Sequence, residues 1–120
     1  MSQEIYREII LEHYKSPKNR GTAKGANVKK VGANLLCGDS FEISARVEGG
    51  KIVDVKFDGG GCAISTACAD ILCEIAKGKS KGQILKMNAD EVFKRIGFVP
   101  SAARQKCALL GLETLKKAVK

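Results

Sequence analysis

The stretch from Asp58 to Gly78, DGGGCAISTACADILCEIAKG, constrains the fold of this chain more than any other. Three consecutive glycines, residues 59–61, end a strand-like segment, and an amphipathic helix follows. Because glycine has no Cβ, the backbone there can turn sharply and another group can approach it closely. Cys62 lies at the junction, where the unpaired N–H groups and the dipole of the helix favour a thiolate. The pattern predicts a site built around Cys62.

A chain of 120 residues with 44% apolar residues is expected to form one domain, residues 1–120. No apolar run approaches the roughly 20 residues that span a bilayer, and the N-terminal residues lack the apolar segment of a secretory signal. We therefore expect a cytoplasmic protein whose five cysteines do not form disulfides. Without a CxxC pair they fit neither a zinc ribbon nor a thioredoxin-type site. Metal ligation, thiol chemistry and buried apolar filler remain open.

The net charge of +8 is unevenly distributed. Residues 15–30 contain six lysines and arginines and no acid, and residues 75–87 contain four lysines and no acid. Such surfaces bind nucleic acid, acidic membranes or acidic proteins, or are simply solvated. Because the basic runs contain no aromatic residues and match no nucleic-acid-binding motif, we do not expect a nucleic-acid partner.

Two alternating segments predict an antiparallel hairpin around Gly49-Gly50. The residues expected to face inward are Phe41, Ile43, Ala45 and Val47 in the first strand and Val53, Val55 and Phe57 in the second. Both sets lie on one face of the sheet only if the numbers of two residues paired across the hairpin add up to an even number. A loop of two residues, Gly49 and Gly50, makes this sum odd. We therefore predict a three-residue loop with a bulge. A further short strand is expected around residues 27–31.

Helical periodicity predicts a first helix over Gln3–Lys15, with the single histidine, His13, packed in the core rather than acting as a ligand. The helix after Cys62 is expected to bury Cys68 and to leave Cys73 partly exposed on the opposite face, and neither is assigned as a ligand. Short helices are expected over residues 83–87 and 90–96, and the last helix is expected to begin at a Ser101 cap. The order of elements indicates an α+β fold, a small antiparallel sheet of about three strands with helices packed on one face.

Three cysteines and an aspartate fall at predicted element boundaries: Cys37, Asp39, Cys62 and Cys107. Three thiolates and one carboxylate form a tetrahedral set suited to zinc or to a [2Fe–2S] cluster. Because a carboxylate binds thiophilic metals less strongly than a thiolate, such a site suits a carrier. Spacing alone leaves open that the three cysteines are unrelated structural residues.

Four motifs occur in one order over nearly the whole chain: YREIILEHYKSPKNRG, CGD, GGGCAIS with its helix, and RQKC. This combination resembles the iron–sulfur cluster assembly scaffold family, which comprises the ISC scaffold, the N-terminal domain of the nitrogen-fixation scaffold and the SUF sulfur carrier. The resemblance implies a scaffold or carrier rather than an enzyme. It would build a labile [2Fe–2S] cluster from iron and from persulfide sulfur of a cysteine desulfurase, and transfer it to recipient apo-proteins, with a dimer as one form of the cluster-bound state.

By this resemblance the ligand positions are Cys37, Asp39, Cys62 and Cys107. The sulfur acceptor is Cys107 in ISC-type members and Cys37 in SUF-type members. Members without iron hold zinc at the same ligands, so the alternative function is a zinc-bound sulfur acceptor, or sulfurtransferase partner, of a desulfurase. Lys106 stands where ISC-type scaffolds carry a histidine ligand, and the chain lacks the insertion of the SUF carrier before its last cysteine.

The segment PSAAR, residues 100–104, replaces the LPPVK sequence that a specialised Hsp70 chaperone reads in ISC-type scaffolds. We predict that such a chaperone does not recognise this chain, so its ATPase rate stays at the basal value when the protein is added. A rise in ATPase rate that depends on the PSAAR segment would contradict this prediction.

Overall fold

The computed structural model describes residues 3–34 and 38–120, with side chains from residue 8 onward. Its elements run in the order helix, three strands, four helices. They are α1 Gln3–Lys15, β1 Val28–Asn34, β2 Asp39–Glu48, β3 Lys51–Gly60, α2 Ala63–Ala76, α3 Lys81–Lys86, α4 Ala89–Ile96 and α5 Ala102–Val119. No helix in the described part of the chain is long and apolar enough to cross a membrane.

The strands form one antiparallel sheet in the order β1-β2-β3. Phe41, Ile43 and Ala45 of β2 are buried as predicted, whereas Val47 is only partly buried. Val55 and Phe57 of β3 are buried too, and the sheet packs through β2 on α5 and through β3 on α2. Along the outer edge of β3, the backbone of Phe57 bonds to residues 19 and 21 and that of Ile52 bonds to residues 78 and 79. The predicted α+β class, with a three-stranded sheet and helices on one face, is confirmed.

The hairpin between β2 and β3 brings the apolar residues of the two strands onto one face in a different way from the one predicted. Its loop is a strict two-residue turn of Gly49 and Gly50, both with positive φ, and the bulge lies inside the strands. Arg46 pairs with Asp54 whereas Val47 pairs with Ile52, so Val53 is the extra residue. As a result Ile52 is fully buried and Val53 is 40% exposed. The prediction of a three-residue loop with Val53 facing inward was wrong.

The helix α2 is buried on nearly all sides rather than along one stripe. Residues 65–73 are all buried, since α1, α4, α5 and β3 all contact this helix. Cys68 is buried as predicted, but Cys73 is buried too, which corrects the expectation of partial exposure. The helix ends at Ala76 with Lys77 as its C-cap, and Gly78 has the positive φ expected of the residue after a C-cap.

A polar network joins the N-terminal segment to the centre of α2. Asp70, which is fully buried, accepts a hydrogen bond from His13 Nδ1 at 2.6 Å and from the backbone and side-chain N–H groups of Asn19 at 2.9 and 3.0 Å. His13 is therefore not a core residue as predicted: its side chain is 19% exposed, and its ring is held by a buried carboxylate. This contact fixes α1 and the following loop against α2.

The remaining helices begin at polar caps. The helix α3 begins two residues earlier than predicted, because Ser80 and Gln83 form a reciprocal capping box. Asn88 caps α4 through its side chain as predicted. Ser101 is the N-cap of α5, but its side chain forms no capping hydrogen bond. The strand β1 extends to Asn34, beyond the range predicted for it.

The position of α5 is fixed by two close contacts, each at a glycine. A Cβ on Gly32 of β1 would overlap Thr114 of α5, and a Cβ on Gly111 of α5 would lie 3.2 Å from the Leu72 side chain of α2. The missing side chains let α5 lie directly against both the sheet and α2. These contacts fix the position of α5 relative to the β1–β2 connection and the start of α2.

We predict that Gly59→Ala destabilises the fold by about 2 kcal/mol or more, because Gly59 has φ 118° and an added Cβ would overlap the Ser40 carbonyl oxygen of β2. The matched control is Gly60→Ala, where no atom of the described residues lies within 4 Å of an added Cβ and φ is not positive. Urea unfolding of both variants measures the difference. Equal stabilities of the two variants would show the prediction to be wrong.

Candidate metal centre

Three of the four predicted site residues meet at one end of the domain. Asp39 is the first residue of β2, Cys62 is the N-cap of α2, and Cys107 lies in the second turn of α5. Their ligand atoms, one carboxylate oxygen and two Sγ atoms, all lie within 4.8 Å of one another. Cys37 lies outside the described residues. The structure thus brings together Asp39, Cys62 and Cys107, which are far apart in sequence.

The two carboxylate oxygens of Asp39 differ in their hydrogen bonds to the described residues. Its side chain is buried, and Oδ1 accepts a hydrogen bond from the Cys62 backbone N–H at 2.9 Å. The other oxygen, Oδ2, is buried and has no hydrogen-bond partner in the described structure. A buried carboxylate oxygen without a donor costs roughly 1–3 kcal/mol or more. Because a bound cation would satisfy this oxygen, the donor set fits a thiophilic metal.

The third glycine of the junction permits the contact between Asp39 and Cys62. A Cβ on Gly61 would overlap both Asp39 Oδ1 and Ser65 Oγ. Only glycine at this position lets the β2 carboxylate reach the start of α2 while Ser65 lies on the other side.

Cys62 is held in place by the first turn of its own helix. Its Sγ accepts a hydrogen bond from the Ser65 backbone N–H at 3.5 Å, and Ser65 Oγ also lies 3.5 Å from Sγ. Partial burial raises the pKa of the Cys62 thiol and the Asp39 charge adds to this rise. The hydrogen bonds from the Ser65 side chain and backbone and from the Ile64 backbone outweigh them and lower the pKa below its usual value. The half-buried Cys62 thiol therefore loses its proton more readily than an isolated cysteine does.

Cys107 is fully buried, whereas the cations that precede it in α5, Arg104 and Lys106, are exposed. The basic side chains thus lie at the rim while the thiol faces inward. Among the ion pairs of the described residues, none joins Lys106 to Asp39.

The other two cysteines lie in a different environment. Burial, with a smaller effect from Cys62, raises the pKa of Cys68 to about 12. Burial also raises the pKa of Cys73, and nearby acids, Asp70 first, add to the rise. Both thiols therefore stay protonated at neutral pH and act as apolar filler of the core, as predicted for Cys68 but not for Cys73.

A second group of potential ligands, His13, Asp70 and Glu74, lies between α1 and α2 with its atoms within 4.8 Å of one another. Here the carboxylates already have partners: Asp70 binds His13 and Asn19, and Glu74 binds Arg95 at 3.0 Å. This group is a hydrogen-bonded structural network.

Sequence reasoning missed Ser65. Its signal is its position three residues after Cys62, where the backbone N–H of a helix points back at the N-cap side chain. Nothing in the local pattern shows that the Ser65 hydroxyl also faces the thiol, because serine is common in the first turn of helices for other reasons.

Several known proteins resemble this chain in sequence. Residues 5–120 match the family model described as NifU-like N terminal domain. The chain is 35% identical to a Thermotoga maritima protein named iron-sulfur cluster assembly scaffold protein IscU, over 97% of this chain and 93% of that protein. It is 31% identical to the zinc-dependent sulfurtransferase SufU of Bacillus subtilis, over 96% and 89% of the two chains.

A solved structure has the same fold. The crystal structure of FiSufU from Fervidobacterium islandicum, described as a scaffold for iron–sulfur cluster assembly in the SUF system, superposes with a TM-score of 0.84 at 34% identity and covers 100% of both chains. The match to the family model over almost the whole sequence, with the site residues adjacent in the fold, leads to one conclusion: this chain belongs to the NifU-like N-terminal domain family.

Proposed function

We propose that this protein is a scaffold on which a labile [2Fe–2S] cluster is assembled from iron and desulfurase-derived sulfur and then passed to apo-proteins in the cytoplasm. The observation that carries the proposal is the meeting of Asp39, Cys62 and Cys107 around a buried carboxylate oxygen that has no partner in the described part of the chain. The relatives named IscU support it, since they are scaffold proteins by name.

In this proposal Cys37, Asp39, Cys62 and Cys107 bind the cluster, which is cargo rather than a permanent cofactor. Sulfur arrives when a scaffold thiolate attacks the outer sulfur of a desulfurase persulfide. The persulfide S–S bond breaks, a new S–S bond forms on Cys107 or Cys37, and the desulfurase thiolate leaves. Reduction of that sulfur to sulfide takes two electrons from an external reductant such as a thiol or an electron-transfer protein. The lowered pKa of Cys62 fits a ligand that must bind as thiolate.

A second candidate function uses the same residues. A zinc-bound sulfur acceptor, with zinc on these ligands, would take sulfur from a desulfurase and pass it on without building a cluster. The relative named zinc-dependent sulfurtransferase SufU favours this candidate, as does Lys106 next to Cys107. A sulfurtransferase activity of this kind is compatible with the scaffold role, since both begin with the same exchange.

The absence of the SUF-type insertion does not by itself distinguish the two candidate functions. The alignment with SufU spans 134 positions, more than the 120 residues of this chain, so SufU contains residues that this chain lacks. The alignment with the Thermotoga maritima protein named IscU spans 132 positions, so a scaffold by name also contains extra residues. The metal content of the protein is therefore the deciding observation.

Anaerobic purification followed by analysis of iron, acid-labile sulfide and zinc tests the proposal. Iron and sulfide in equal amounts, after incubation with a cysteine desulfurase, cysteine, ferrous iron and a thiol, are expected for a scaffold. Zinc that does not exchange under these conditions would support the sulfur-acceptor function instead. A protein that binds neither metal would contradict both.

We predict that substitutions at the proposed thiolate ligands, Cys37→Ser, Cys62→Ser and Cys107→Ser, each weaken zinc binding by about 100-fold. A four-ligand zinc site contributes roughly 10–16 kcal/mol, or on the order of 3 kcal/mol for each ligand. The controls are Cys68→Ala and Cys73→Ala, which remove buried thiols without burying a hydroxyl. Competition with a chromophoric chelator measures the affinity. A loss of metal in either control, or retention in Cys62→Ser, would contradict the ligand set.

We also predict that Asp39→Ala slows the loss of an assembled cluster severalfold, because the carboxylate is the weakest ligand and the one through which the cluster leaves. Asp90→Ala, which removes an exposed carboxylate of α4, is the matched control. The decay of the visible absorption in the presence of a chelator measures the rate. An unchanged or faster rate in Asp39→Ala would argue against this role.

A further inference from the structure

The Ser65 hydroxyl has two acceptors within reach and one hydrogen to donate. Its Oγ lies 3.0 Å from the Cys62 carbonyl oxygen and 3.5 Å from Cys62 Sγ. The residue is buried, so water does not compete for the hydroxyl. Which acceptor takes the hydrogen therefore depends on the state of Cys62.

The Cys62 carbonyl oxygen does not depend on Ser65. It also accepts the Thr66 backbone N–H at 3.0 Å, which is the first hydrogen bond of the helix. If the Ser65 hydroxyl turns away, this oxygen keeps the Thr66 N–H as a donor. This rotation of the Ser65 hydroxyl leaves no backbone group without a hydrogen bond, so its cost in free energy is small.

The Cys62 sulfur changes from a hydrogen-bond donor and acceptor to an acceptor alone when it binds metal. As a thiol it carries a hydrogen that it can donate to Ser65 Oγ, with which it is in contact. When a metal ion replaces that hydrogen and the proton leaves to solvent, the sulfur becomes an acceptor only, and hydrogen bonds to charged sulfur strengthen.

We propose that Ser65 is a positioning residue for Cys62: on metal or cluster binding its hydroxyl turns from the Cys62 carbonyl oxygen to Cys62 Sγ and donates to it. Together with the Ser65 N–H, this gives the bound sulfur two donors from one residue. The inference rests on the proposed function, since it requires Cys62 to be a ligand. It adds a residue that sets how tightly the site holds its metal, because donors to a ligand atom tune the metal bond.

The test uses cobalt(II) as a spectroscopic probe in the full-length metal-free protein. In Ser65→Ala the sulfur loses one donor and becomes more electron-rich, so the sulfur-to-cobalt charge-transfer band shifts to longer wavelength. Metal affinity, measured by competition with a chelator, falls by about tenfold. Ser65→Thr, which keeps the hydroxyl, restores both the band position and the affinity.

The matched control is Thr66→Val on the next residue of α2. Thr66 Oγ1 is also buried but has no hydrogen-bond partner among the described residues, so its removal should leave the band and the affinity unchanged. Thermal unfolding of the metal-free proteins checks that each variant folds. A Ser65→Ala protein with the wild-type band and affinity would overturn the proposal, as would an equal shift in Thr66→Val.

Failure of the proposed function is a different result. If the wild-type protein forms no thiolate–cobalt band and binds no zinc, the site is not a metal centre and the role of Ser65 falls with it. If the wild-type protein binds both metals and Ser65→Ala is unchanged, the proposed function stands and only the role of Ser65 is wrong.

Discussion

The hydrogen bond from the Cys62 backbone N–H to Asp39 Oδ1 is the contact on which the rest of the site depends. It joins the start of β2 to the start of α2 and leaves the second carboxylate oxygen buried without a donor among the described residues. The bond is possible only because Gly61 has no side chain. A strand end, a helix N-terminus and a glycine thus produce a buried carboxylate oxygen that a cation could satisfy.

The third member of the site is placed by packing far from the chemistry. Cys107 belongs to α5, and α5 is placed by the absence of side chains at Gly32, against Thr114, and at Gly111, against α2. Because a helix is rigid over these distances, contacts one to two turns further along α5 determine where its first turns lie. The packing of the core is therefore also part of the design of the metal site.

The two candidate functions differ in what the site holds rather than in how the site is built. Both need a thiolate that exchanges with a persulfide and a ligand set that releases its contents. The mixed set of thiol and carboxylate groups, with one half-buried and one fully buried cysteine, suits reversible binding in either case. The two buried cysteines with raised pKa values, Cys68 and Cys73, are kept out of this exchange by the same core that positions the site.

The sequence by itself determined the elements and their order, because periodicity, caps and glycines are local properties: the range of α1, the inward face of β2, the Asn88 cap and the start of α2 at Cys62 all follow from neighbouring residues. It also indicated Asp39, Cys62 and Cys107 as candidates, through their places at element boundaries. Only the tertiary structure decided that their ligand atoms lie within 4.8 Å, that a bulge turns Val53 outward, that α2 is buried on nearly all sides and that Ser65 faces the thiol. These features depend on contacts between residues distant in sequence. Such contacts do not produce a periodic pattern in the sequence from which they could be predicted.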